Sequence, residues 1–440
     1  MKYVEPIKSI ILTFLVLLSI SLTLVIWSYE PEYEFLEDPD VQQVVIGEEK
    51  NFRDVVRPYK AIYHVNDMLY GSLAVKTLDE SLDLLTSLDI GNIRIAKQNA
   101  TVQEMNEQIK SKDQIVLFFN TTIPLETLNQ VLSFNENNSE NVEFDRIILS
   151  TRNIKETQTA ELRFINTKTN IIYRAAATIN DERQVNEMIE SLADNSKEYS
   201  EFERTNALSL YLPNEESDVS QFTYFVDEVS QSLLTSAMFT DSSILQKTVE
   251  GDLEKYIDGM SLMTFDTKQK TMNYVNAQAE NSAIEPAAKL VNDTFTVVND
   301  HGGFNADFRL TVIDPSQKLV DYQLFFQGHP VFSTTTLTRI STTWGDNRLF
   351  RYKRPYYELD TDITTEKMVQ SLVAGDKAVE LMEAQVGDVK MVDDIVIGYL
   401  LIQDQNTRLF ILQPSWFAIS GSAWTRLTPP SEGGAGVGLE

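Results

Sequence analysis

An uncharged, mostly apolar run from Ser9 to Tyr29 gives way at Glu30 to the acidic stretch that ends at Asp40. The run is 21 residues long, and about 20 helical residues cross a bilayer core. A signal peptide has a shorter apolar region, about 7–15 residues, followed by a small-residue cleavage site. Here the A-x-A-like triplet Ser19-Ile20-Ser21 lies inside the run, which continues past it to Trp27. The pattern predicts an uncleaved transmembrane helix over 9–29. Lys2 and Lys8 precede it and the next basic residue is Lys50, so the positive-inside rule puts residues 1–8 in the cytoplasm and the bulk of the chain outside. At about 100° per residue, Ser9, Thr13, Ser19 and Thr23 fall within an arc of roughly 120°. Hydroxyl-bearing faces let helices approach and hydrogen-bond in lipid, which makes these four the candidate partner-binding face. Chance clustering of hydroxyls bonded to their own backbone gives the same pattern.

Beyond an acidic, Pro-punctuated stalk over 30–50, short β-branched and aromatic runs alternate with amphipathic ones. "KAIYHV", "QIVLFF", "FDRIIL", "AELRFI" and "IIYRAAA" predict strands. "DESLDLLTSL", "TVQEMNEQI", "PLETLNQVL" and "DERQVNEMIESLA" predict helices with Asp, Thr or Pro at their starts. This defines an N-terminal α/β or α+β domain over 51–203. A central domain over 204–285 starts with strand "ALSLYL", continues with a helical "DVSQFTYFVDEVSQSLLTSAM", and ends in a hairpin turning at "DTKQK". The region 286–428 is strand-rich: "TFTVVN", "FRLTVI", "VDYQLFF", "TTLTRISTTW" and "RLFRYKRPYYEL" precede one helix, "GDKAVELMEAQ", and a final hairpin over "DQNT". The expected class is α+β, with a multi-domain extracytoplasmic region and a C-terminal antiparallel β meander covered by a helix. Residues 429–440 read as a disordered tail.

Composition removes several functions. A net charge of −28 argues against nucleic acid, which is held by clustered Lys and Arg. There is no Cys, and the three His residues, His64, His301 and His329, form no ligand pattern. No metal and no cofactor are expected. "DHGG" at 300–303 has no G-x-S-x-G elbow to accompany it, and neither G-x-x-x-x-G-K-[ST] nor G-x-G-x-x-G occurs. No catalytic residue is assigned. A carboxylate pair for glycan hydrolysis stays open only because 65 acidic residues always allow one.

Several short motifs carry a resemblance spanning nearly the whole chain. They are "WSYEP" closing the apolar run, "GHPVF" (Gly328 to Phe332), "TTW" ending at Trp344, "YKRP" (Tyr352 to Pro355), "IGY" (Ile397 to Tyr399) and "QPSW" (Gln413 to Trp416). In this order and spacing the chain resembles the YycH (WalH) family of low-GC Gram-positive bacteria. The resemblance implies a non-enzymatic, bitopic regulator acting with YycI on the essential sensor histidine kinase WalK (YycG), which governs cell-wall metabolism. It also implies a YycI-like C-terminal domain. A homodimer is an open alternative for assembly. Gly328, Pro330, Phe332, Trp344, Arg354, Pro355, Gly398, Tyr399, Pro414 and Trp416 are expected to determine the fold. His329 departs from the less polar residue expected there. The rival reading is an extracytoplasmic module that binds or hydrolyses wall polymers, and a structural assembly factor is a third.

Overall fold

A computed structural model of the chain describes residues 12, 14–19, 21–22, 47–65, 67–129, 131–132, 142–152, 158–179, 181–239, 244–279, 284–300, 303–345, 348–364, 368–404, 408–429 and 437–439. Within 9–29 the described residues are helical and their apolar side chains are exposed. No helix among the described residues is long and apolar enough to cross a membrane. Ser9, Thr13 and Thr23 lie outside the described residues, and so do the stalk over 30–46 and His301.

Ten strands form the first sheet. Its spatial order is Ala207–Pro213, Lys197–Arg204, Met68–Ser72, Lys60–Val65, Gln114–Pro124, Glu143–Ser150, Thr159–Asn166, Ile171–Ile179 and Leu88–Ile90, with Arg94–Lys97 also on Ile171–Ile179. Its pairings are antiparallel. Both faces are buried at the central strand Gln114–Pro124, whose successive side chains alternate between two cores, whereas Ile171–Ile179 exposes one face. Ile115, Leu117 and Phe119 join a core with Leu78, Leu82, Leu85, Val185, Ile189 and Leu192 of helices Val75–Thr86 and Glu182–Asp194. Val116 and Phe118 join a second core with Met105 and Ile109 of helix Val102–Ile109. That helix starts on a capping box, in which Thr101 Oγ1 accepts from Glu104 N and Glu104 accepts from Thr101 N.

The second sheet has 15 strands. Twelve run in the order Gln246–Glu250, Leu253–Ile257, Ser261–Asp266, Thr271–Asn276, Leu349–Pro355, Arg339–Trp344, Leu319–Phe326, His329–Phe332, Asp394–Gln403, Leu409–Ser420, Phe222–Glu228 and Tyr357–Asp362. Phe308–Asp314 adds to Leu319–Phe326, Ala423–Leu427 adds to Leu409–Ser420, and Val437–Leu439, within the tail expected to be disordered over 429–440, pairs as a strand with Ala423–Thr425. A small ladder joins Ser217–Ser220 to Val369–Leu372.

The expected class, α+β, describes this mostly-sheet fold, but the simple meander does not. His329–Phe332 runs parallel to Asp394–Gln403, so the sheet is mixed. "TFTVVN" lies in a helix, Ala287–Asn299, although it is rich in β-branched residues. Its buried positions Leu290, Val291, Thr294 and Val298 have helical spacing, and that face outweighs local β propensity. Two helices of 286–428, not one, therefore pack on the sheet. Ala287–Asn299 lies on Phe308–Asp314 and Leu319–Phe326, while Gly375–Gln385 buries Ala378 and Met382 against Ile395, Ile397, Trp416 and Leu427. The long helix expected in "DVSQFTYFVDEVSQSLLTSAM" is two strands, Ser217–Ser220 and Phe222–Glu228, followed by a short helix, Gln231–Met238. Neighbours on both sides claim the aromatic run: Phe222–Glu228 pairs with Leu409–Ser420 and with Tyr357–Asp362.

The two sheets share a core. Ile62, Val116, Phe118, Tyr199 and Tyr211 of the first half pack in one cluster with Phe325, Phe332, Val396, Phe417 and Trp424 of the second.

Candidate functional site

The fold-determining candidates lie mainly at turns and in cores. Gln327 and Gly328 make the two-residue turn between Leu319–Phe326 and His329–Phe332, with φ of 50° and 83°. Positive φ at both positions marks a hairpin turn of the primed type. A Cβ on Gly328 would run into the Leu73 carbonyl of the first half. Gly398 admits the neighbouring strand, since a Cβ there would sit 2.7 Å from Pro330 O. Trp344 is buried and its Nε1 donates to Thr294 Oγ1 at 2.7 Å, while Trp416 Nε1 donates to Val373 O at 3.0 Å. Arg354, fully buried, donates to Pro355 O and to Asn305 Oδ1. Tyr399 Oη donates to Ser220 O at 3.2 Å, and Pro414 faces Tyr399 across the ladder. Of the proposed membrane face, Ser19 alone is described.

Pro330 and Phe332 lead from the core to a concave site. They help line a cleft of about 470 Å³ where the two halves meet. Its apolar wall includes Phe325, Val396 and Ile419, and its polar lining includes Tyr59, Asp145, Arg146, Lys168, Arg204, Asp314, Arg339, Lys390, Asp393 and Asp394. Asp394 of the lining also forms an ion pair between the halves. Lys60 Nζ lies 2.5 Å from Asp394 Oδ2, and Tyr59 Oη donates to the same oxygen. Lys60 is buried to 3% side-chain exposure. Burial pulls its pKa below the usual lysine range, and the Asp394 carboxylate works against that shift. Burial, and then Asp394, raise the Tyr59 phenol well above its ordinary value, so it is a neutral donor. Strand position explains the pair: Lys60 opens the strand Lys60–Val65, and Asp394 opens Asp394–Gln403.

The cleft residues come from strands and loops far apart in the chain and follow no motif spacing, so sequence reasoning missed all but Pro330 and Phe332. The one signal was a lysine in a run, "YKAIYHV", otherwise suited to a buried strand. His329, next to the cleft, packs its ring on Tyr399 and bonds Ile397 O through Nδ1 at 3.1 Å. Burial pulls its pKa down to about 4, and His64 is likewise lowered to about 4. Both rings are therefore neutral near pH 7.

Comparison with known proteins places this architecture. The model of the YycH protein N-terminal domain matches residues 5–194, and that of the C-terminal domain matches 207–430. A relative from Bacillus subtilis (strain 168), the two-component system WalR/WalK regulatory protein YycH, is 20% identical over 431 residues, covering 94% of each chain. The crystal structure of YycH from Bacillus subtilis shares the fold, with a TM-score of 0.74 at 17% identity over 87% of this chain and 99% of that one. Two domain models matched in order, over almost the full length, show that the chain belongs to the YycH family.

Proposed function

We propose that this chain is a non-enzymatic regulator of a WalR/WalK-type two-component system, acting on the sensor histidine kinase together with a YycI-like partner. The observation that supports this reading is the end-to-end match to a relative whose name is that of a WalR/WalK regulatory protein. In this reading the 9–29 segment anchors the chain in the cell membrane with its N-terminus in the cytoplasm and the two sheets outside, where they bear on cell-wall metabolism through the kinase. Contacts occur at both levels: helix against helix in the bilayer, through the face of Ser9, Thr13, Ser19 and Thr23, and domain against domain outside.

Purification from membranes under mild detergent tests the proposal. The full chain should bring down the kinase, and replacing residues 9–29 with an unrelated transmembrane helix should weaken capture. Failure of the native chain to capture the kinase, at membrane levels matching the positive control, would remove the reading.

A further inference from the structure

We infer that the cleft between the two halves is a binding site for a small organic anion, a phosphate or carboxylate on an apolar body. The claim goes beyond kinase regulation and does not depend on it. Its basis is an imbalance in how the lining charges are used. Every carboxylate is already engaged by a protein donor. Asp145 accepts from Thr167 Oγ1 and N, Asp314 from Ser316 N and Oγ, Asp393 from Gly421 N at 2.6 Å, and Asp394 from Tyr59, Lys60 and Ile395 N.

Of the lining cations, Arg339 pairs with Asp321 at 3.8 Å, and the other four are held mainly by neutral groups or exposed. Arg204 donates through Nε to Leu208 O and through Nη1 to Val389 O and Val392 O, all of them neutral carbonyls. Arg146 also donates to two carbonyls, of Phe119 and Asp145, and its buried Nε has no partner. Its Nη1 forms a loose ion pair with Asp145 Oδ1 at 3.8 Å. Lys168 and Lys390 are exposed at the rim, and neither they nor Arg204 forms an ion pair among the described residues. Carbonyls orient a guanidinium without cancelling its charge, and a planar fork held that way suits carboxylate and phosphate.

The same lining holds the apolar residues Phe325, Pro330, Phe332, Val396 and Ile419. Such a wall favours an apolar body over a bare ion. The volume, about 470 Å³, falls within the range of small-molecule sites, about 300–1,000 Å³. Because the lining comes from both sheets, an occupant touches both halves at once and ties them together.

Titration calorimetry on the full-length chain in nanodiscs tests this, with phenyl phosphate and benzoate as probes, inorganic phosphate as the anion without a body, and benzylamine as the cationic control. Saturable binding of at least one aromatic anion is expected, with Kd at or below about 1 mM, tighter than for inorganic phosphate and absent for benzylamine. Lys168→Glu with Lys390→Glu alters two exposed side chains, so it should leave melting unchanged and weaken that binding at least about tenfold. The inference is overturned if neither aromatic anion binds saturably, if benzylamine binds as well as they do, or if the double variant binds as tightly as the parent. Inorganic phosphate binding as tightly as phenyl phosphate overturns the apolar body. Kinase output plays no part in any of these readings, so their failure leaves the regulatory proposal standing.

Discussion

Lys60 and Asp394 stand 334 positions apart and meet as a buried pair, which makes the join between the halves sensitive to single side chains. Removing one partner of a buried ion pair strands the other charge and costs about 3–5 kcal/mol. Lys60→Met should therefore lower the urea midpoint sharply, whereas Lys60→Met with Asp394→Leu should recover most of the loss. Equal stability of Lys60→Met and the parent would show that the pair does not hold the join. The two described histidines give a pH prediction. Both have folded pKa values of about 4 against an ordinary 6.5, so the unfolded chain takes up protons first as pH falls. Their contribution to stability is complete above about pH 6.5 and is lost progressively from there towards pH 4. Replacing both with Gln should flatten the melting curve across that window, and an unchanged acid dependence would mean that other groups control it.

At the scale of elements, the legible parts were those whose local pattern and tertiary neighbours agree. "QIVLFF" buries successive side chains in two cores, and "TVQEMNEQI" has both its capping box and its apolar face. "TFTVVN" misled because composition favours a strand, whereas Leu290, Val291, Thr294 and Val298 need helical spacing to meet the sheet. "FTYFV" misled in the opposite direction, because strand neighbours supplied by residues 357–362 and 409–412 are invisible locally. The cleft was illegible for a similar reason: its lining is assembled by pairing across hundreds of residues, and no spacing rule encodes that. Two substitutions test the element assignments. Trp344→Ala removes a buried indole that donates to Thr294 of the helix Ala287–Asn299, and large-to-small changes of this kind cost about 3–5 kcal/mol. Gly328→Val places a β-branched residue at φ 83° against the Leu73 carbonyl, where a left-handed residue costs about 1–2 kcal/mol before any clash. Both should lower the melting temperature. A Gly328→Val chain that melts like the parent would contradict the tight turn.

For the whole molecule, the shared cluster of Phe118, Tyr211, Phe332, Phe417 and Trp424 makes one mechanical body of two family domains. In the proposed reading, regulation through such a body requires that what happens in the membrane and what happens outside reach the kinase together. Changing Ser9, Thr13, Ser19 and Thr23 to Leu crowds the proposed helix face, while small-residue substitutions at Leu12 and Val16 leave it intact as a control. The most direct measurement is phosphotransfer from the cognate WalK to WalR in membranes, with and without this chain and its YycI-like partner. The account predicts that adding the native chain changes the rate, that the four-Leu variant loses most of the change, and that the Leu12/Val16 control keeps it. An identical rate with and without the native chain, at matched membrane levels and with the partner present, would contradict the account.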